Sequence, residues 1–384
     1  MGDMETSLPH SIASAWASAI RSPGGPLRPR ESLDRGEEDP GPSSALLARW
    51  GMAAPAWLLV EGEPGTWPRL AERLRPRFLA ARVRTLAALG ALEEAAGILA
   101  GEGVDLLVTQ GAALLDSVDL PHPELRNMVD ADVVVPPHQA ERARRILLGC
   151  GFRALDGSGR LTRRGGTLDL HARPLGMERI LRRRLALPLD DAEVWEEARP
   201  ADPDGPLPPP TRVPSLPWLW VLTLAHAQKH SFGSLKWPLD LLLIGERMDP
   251  AGRRRAAYWA RRLRLETSWI VMGGILEGWG APLPPGLRPG GERISPGQQR
   301  LVRAASERLR GLGPMGWVGE RMLWTMARGP WDRTLLVWET LFPGRATMRT
   351  LYPSYRPLLR PFYLLRRLWD LGRRLLGSRS DDLS

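Results

Sequence analysis

Two carboxylates one residue apart are the sharpest chemical feature of the chain. They are Asp130 and Asp132, in the run Arg126-Asn127-Met128-Val129-Asp130-Ala131-Asp132-Val133-Val134-Val135. On an extended strand, residues i and i+2 share a face and lie about 6.6 Å apart along the chain. A divalent cation fits such a pair, because Mg²⁺ (or Mn²⁺) takes one or two carboxylates and completes its shell with water and substrate phosphates. Asp169, in Thr167-Leu168-Asp169-Leu170-His171, adds a third carboxylate on a separate predicted strand. If the two strands are neighbours, Asp130, Asp132 and Asp169 form a metal site able to clamp an in-line phosphoryl displacement. Gly111 opens a predicted helix, where free backbone N–H groups can donate to phosphate oxygens. An isolated Asp-x-Asp is usually a solvated turn. The third Asp and Gly111 are what raise this one above that.

A second group lies far downstream. His226, Lys229 and His230 fall on one predicted helix, and Lys236 follows. The histidines at i and i+4 share a face, but no third ligand stands near them, so a polar, cleft-facing or structural role is expected rather than zinc binding. Lys229 and Lys236 are the only lysines in the chain and could neutralise substrate phosphate; solvated helix-end charges would need no function. His171 is placed near the carboxylates as a strand-end cleft residue. Asp119 and His122 are candidates to line the cleft, Trp237 reads as core, and Cys150 reads as buried structure.

The elements that must hold these residues follow from hydrophobic periodicity. Residues 1–44, rich in Ser, Pro, Gly and charge, read as a disordered tail. Residues 45–99 read as helical, with Leu74, Phe78, Leu79, Val83, Leu86, Leu89, Leu92 and Ile98 as the apolar stripe. Strands are predicted at 104–109, 131–136, 152–154 and 166–170, interleaved with helices at 111–117 and 137–148. This alternation is a small α/β unit. Residues 173–214 read as a polar and Pro-rich connection. Residues 215–280 read as a Trp-rich helical domain, 281–297 as a Pro/Gly-rich loop, and 298–384 as a further helical region. The fold expected is α+β, with a small mixed-sheet core in 45–172 and a mainly helical domain after it.

Four stretches in this order resemble the bacterial uncharacterised nucleotidyltransferase family, a branch of the polymerase-β-like superfamily. They are LLVTQGAALL (106–115), LRNMVDADVVV (125–135), LDLHARPLG (168–176) and LAHAQKHSFGSLKWPLDLLLI (224–244), within a resemblance spanning about 85–375. The tail LFPGRATMRTLYPS (341–354) is similar too. The resemblance implies that Asp130 and Asp132 bind Mg²⁺ and nucleotide phosphates. It implies that Asp169 completes the metal site and helps activate an acceptor hydroxyl, with Gly111 against the phosphates. The family's lysine position is Gln110 here, and Ala112 follows Gly111 where the superfamily has serine. Glutamine carries no charge, so three outcomes stay open: weaker nucleotide affinity, a site that has lost catalysis, or an arginine elsewhere, Arg126 for example, in the lysine's place.

Composition limits the alternatives. The 384 residues are long enough for a sizeable core, and one cysteine excludes a disulfide scaffold or a Cys-rich zinc module. No apolar run is long enough to span a membrane, and the first residues do not read as a secretory signal. A bacterial cytoplasmic setting is expected. The net charge of +10 invites nucleic acid, but 51 of the 53 basic residues are arginine and lie scattered, as in a chain from a GC-rich genome. The partners expected are an NTP and an acceptor that is a small molecule, a peptide, a protein or RNA. A silent nucleotidyltransferase-like binding module and an RNA- or tRNA-directed enzyme stay open. The basic amphipathic stretch 356–376 is expected to pack its Leu, Phe and Trp stripe on the helical domain, with contact to an anionic membrane surface as the rarer outcome.

Overall fold

A computed structural model describes residues 51–61, 68–118, 126–155, 159–174, 191–289, 295–309, 329–344 and 354–380, with residues 47, 327, 348, 351 and 352 besides. The expected tail 1–44, Asp119 and His122 lie outside the described residues. The architecture is mixed α/β. Its helices are α1 (Ala53–Glu61), α2 (Pro68–Gly101), α3 (Gln110–Ser117), α4 (Ala140–Gly149), α5 (Asp191–Glu196), α6 (Leu216–Lys229), α7 (Lys236–Arg247), α8 (Pro250–Arg262), α9 (Glu266–Gly278), α10 (Pro296–Leu309), α11 (Pro330–Leu341) and α12 (Arg360–Ser380). The strands are β1 (Leu107–Val108), β2 (Ala131–Val134), β3 (Arg153–Ala154), β4 (Arg160–Arg163), β5 (Gly166–His171), β6 (Arg199–Pro200) and β7 (Arg212–Val213).

Among the described residues the strands form one sheet in the order β3-β4-β5-β2-β1-β7-β6. The pairs β2–β5 and β1–β7 are parallel and the others antiparallel. Three strands were not expected. β4, starting at Arg160, lies between the two strands expected at 152–154 and 166–170, and β6 and β7 extend the sheet from within the polar 173–214 stretch. The Pro-rich segment 201–210 is therefore the loop joining two sheet strands. It is tied back by Arg199, whose Nη2 lies 2.8 Å from Oδ2 of the buried Asp116 side chain on α3, and by the Asp202 amide on the same carboxylate.

Side chains alternate across a strand, and the sheet uses both faces. Ala131 and Val133 on β2 and Leu168 on β5 are buried on one face, and α2 packs on β2 and β5. The helix does so with its small residues. Ala81, Thr85, Ala88, Ala91 and Ala95 are buried with Leu70, Leu74, Phe78, Leu92 and Leu99. The expected stripe is corrected at Leu79, Val83 and Leu86, which are exposed. Large apolar residues marked the wrong arc, because the sheet needs close approach rather than bulk. Gly166 shows how close: a Cβ there would lie 1.9 Å from the carbonyl oxygen of Ala87.

The hydrophobic core runs without a break from Leu107 and Val133 in the sheet through Trp218 and Trp220 to Trp269 and Leu287 in the helices. Helix α6 is buried on all sides from Trp218 to Ala225, as a central helix must be, and it touches α3, α7, α8 and α9. Its Trp220 donates Nε1–H to the Leu241 carbonyl, while Trp218 stacks on Trp259 at 4.4 Å. Cys150 departs from expectation: it caps α4 and is exposed, because Ala143 and Leu147 form that helix's buried face and Phe152 takes the core position after the turn.

Helix α12 departs as well. It buries Tyr363 and Leu371, Tyr363 in a small separate cluster with Met348, Tyr352 and Tyr355. Phe362, Leu365 and Trp369, expected to pack on the helical domain, face solvent instead. Among the described residues no helix is long and apolar enough to cross a membrane.

Candidate metal and nucleotide site

The parallel pairing of β2 with β5 aligns Asp132 with Asp169 and Val134 with His171. Period-two alternation then puts Asp132, Asp169 and His171 on one face, opposite the face packed on α2. Their ligating atoms all lie within 4.8 Å of one another. His171 Nε2 is 3.3 Å from Asp132 Oδ1 and 3.3 Å from Asp169 Oδ2. Burial alone would push the imidazole down, but the two carboxylate hydrogen bonds outweigh it and raise its pKa to about 9. Burial would likewise raise Asp132, yet the His171 bond brings it to about 2.

Asp130 sits in the bend just before β2, outside this tight trio. Its pKa is raised, by burial first and then by repulsion from Asp132 and Asp169. Arg160, opposite Asp169 in β4, and Lys236 work against that rise. The expected three-carboxylate set is thus gathered in one field, with His171 as the histidine inside it. Asp169 keeps one buried oxygen, Oδ1, with no hydrogen-bond partner. An orphaned carboxylate oxygen beside two further carboxylates is what a hard divalent cation would satisfy. The donor set fits such an ion.

The segment before β2 is pinned at two points. The buried Thr85 hydroxyl on α2 accepts the Met128 amide at 3.1 Å. Arg126 donates Nε and Nη2 to Asp240 Oδ2 on α7 at 2.9 and 2.8 Å, and Nη1 to the Asn127 carbonyl. Both members of this ion pair are buried. The guanidinium expected to stand in for a phosphate-binding lysine is therefore committed to Asp240. Nothing in the sequence around Thr85 or Asp240 marks a role for either. Only the fold shows that each reaches the carboxylate loop.

Gln110 begins α3 with φ of 55°, a left-handed conformation uncommon for a residue with a side chain. Its Nε2 donates to the Leu222 carbonyl on α6, and its buried Oε1 has no partner. No side chain caps this helix start. A Cβ on Gly111 would lie 3.1 Å from Met128 Sδ and 3.5 Å from Arg126 Cζ, so a side chain there would require Met128 to shift by a few tenths of an ångström.

The end of α6 and the start of α7 supply the opposite side. His226, His230 and Trp237 cluster at ring separations of 4.5 to 5.7 Å. Burial and the surrounding cations hold His226 well below its usual pKa despite Asp132 nearby, so its ring is neutral at pH 7. Lys236 lies over Trp237, and burial and Arg126 bring its pKa to about 8 against the pull of Asp240, Asp130 and Asp132. Lys229 is exposed and close enough to Asp132 to steady its charge. The structure thus brings all four downstream residues, His226, Lys229, His230 and Lys236, into the field of the sheet carboxylates.

No curated protein and no solved structure gives a significant match to the chain. A family profile does, and its span takes in the sheet, α6, α7 and most of α9, beginning and ending earlier than the stretch 85–375 read from the motifs. That profile is described as "Uncharacterised nucleotidyltransferase"; it matches residues 45–276, more than half of the 384, and the chain belongs to this family.

Proposed function

We propose that the protein transfers a nucleoside monophosphate from an NTP to an acceptor. The single observation that carries this reading is the alignment of Asp132 with Asp169, with an unpartnered buried oxygen on Asp169, opposite a lysine-bearing helix end. Asp132 and Asp169 would hold Mg²⁺ or Mn²⁺, with Asp130 beside them. Such an ion supplies charge neutralisation at the phosphoryl oxygens.

The chain's own residues do the rest by positioning, which is most of what phosphoryl transfer requires. His171 fixes the orientation of both carboxylates. The uncapped amides at the start of α3, around Gly111, would face the polyphosphate, and Lys229 and Lys236 would balance its charge. The acceptor oxygen attacks the α-phosphorus, its proton passes to Asp169, and the bond to the pyrophosphate oxygen breaks as pyrophosphate leaves.

A second reading has its own observation. Gln110 carries no charge where the family resemblance places a lysine, which favours an NTP-binding module without turnover. The test is calorimetry of the four NTPs with Mg²⁺, on the wild type and on the Asp130→Asn/Asp132→Asn double variant, followed by turnover of the NTP that binds. Metal-dependent binding that the double variant loses, together with turnover, supports transfer. Binding without turnover supports the silent module, and absence of binding to any NTP overturns both.

A further inference from the structure

Helix α12 lies beyond the family-matched segment 45–276 and outside the continuous core. Leu358, in the short turn before it, and Phe362, Leu365 and Trp369 recur at spacings of four, three and four, so they form one row on the helix. They are 95, 61, 67 and 68% exposed. The row is not a helix face waiting to close on the domain, because the helix already packs by its other side. Tyr363 and Leu371 are buried there, and the buried Arg367 donates to the Thr340 carbonyl at the end of α11. Helix α11, packed against α12, exposes Trp331 and Trp338 as well.

Charge accompanies the apolar row. Residues 354–380 contain seven arginines and one acid, Asp370, which accepts a hydrogen bond from the Tyr352 hydroxyl. Arg356 and Arg366 are exposed. A helix held by one side, with Leu, Phe and Trp along the other and arginine around them, suits the boundary between lipid headgroups and acyl chains. Tryptophan is enriched at that depth.

We infer that α12 docks this face on an anionic lipid surface, lying in the plane of the interface and not crossing it. The inference is independent of the transfer reaction.

The test is flotation of the full chain with phosphatidylcholine vesicles, with and without phosphatidylglycerol. The protein should float with the anionic vesicles alone, and its bound fraction should fall several-fold as NaCl rises to about 0.5 M. Phe362→Ser/Leu365→Ser/Trp369→Ser should weaken partitioning on the order of tenfold or more, with the melting temperature unchanged because the three side chains are exposed. Arg356→Glu/Arg366→Glu should lower the anionic preference without touching the row, and it serves if the triple variant does not fold. Absence of wild-type binding, equal binding to both vesicle types, or undiminished binding by both variants overturns the proposal. So does a wild-type dimer that the triple variant converts to monomer, which would assign the row to a second copy of the chain.

Discussion

On the sheet side of the site, backbone pairing fixes the charges. Asp132 and Asp169 are register partners, and His171 two residues on bonds both. On the helix side, Lys229 and Lys236 stand at the end of one helix and the start of the next, beside an aromatic cluster of His226, His230 and Trp237. The first arrangement sets distances to a fraction of an ångström, as metal ligation requires. The second sets charge through side chains rather than backbone register, with Lys229 exposed and Lys236 lying over Trp237. The contrast predicts that changes on the sheet side abolish chemistry, whereas changes on the helix side weaken binding.

The largest expected effect is on the sheet. Asp169→Asn should lower turnover on the order of a thousandfold, the loss seen when one preorganised electrostatic group is removed, with the circular dichroism spectrum of the folded protein retained. A transfer assay with labelled NTP decides it; retained turnover would break the contrast.

Next comes the tie between the two sides. Arg126→Ala leaves Asp240 buried and unpaired, and urea unfolding should show a loss of about 3 kcal/mol or more. The double change Arg126→Met/Asp240→Leu should recover most of that, because breaking a buried pair is worse than replacing it. A double variant as unstable as the single would mean that the pair is more than a clamp.

A smaller effect is set by pH. The folded-state pKa of His171 is raised to about 9, so its stabilising contribution is complete below about 6.5 and is lost as pH rises through about 9. In EDTA, unfolding free energy should fall by on the order of 2 kcal/mol across that window, and His171→Asn should flatten the slope. A slope unchanged in the variant would assign it to another group.

The smallest effect is on the helix side. Lys236→Ala should weaken NTP binding about tenfold at pH 7, with kcat little changed, the signature of lost ground-state binding. Lys236 is charged below its pKa of about 8, so the difference between wild type and variant should disappear as pH rises past it. A fall in kcat equal to the fall in affinity would place Lys236 with the sheet residues.

Much of the candidate site is legible in the sequence because it is local. Asp130, Asp132, Asp169 and Gly111 lie in short segments whose strand or helix character the apolar pattern gives directly. The motif order also carried the family, which the profile match to residues 45–276 bears out. What could not be read were matters of which surface meets which. The pairing of Arg126 with Asp240, 114 residues away, has no signal in the sequence around either residue. Leu79, Val83 and Leu86 were read as core, because bulk counts in a sequence pattern and close approach does not.

Sequence alone determined the small α/β alternation, the carboxylate spacing and the two lysines of the 224–244 segment. All three rest on propensity and periodicity within a few residues. Only the tertiary structure decided that β2 lies beside β5 with Asp132 opposite Asp169, and that His171 enters the cluster while Asp130 stays at its edge. It also decided that Arg126 faces Asp240 and that the apolar row of α12 faces out. These are pairings over long chain separations, where one residue of register or a fraction of a helical turn changes which side chains meet.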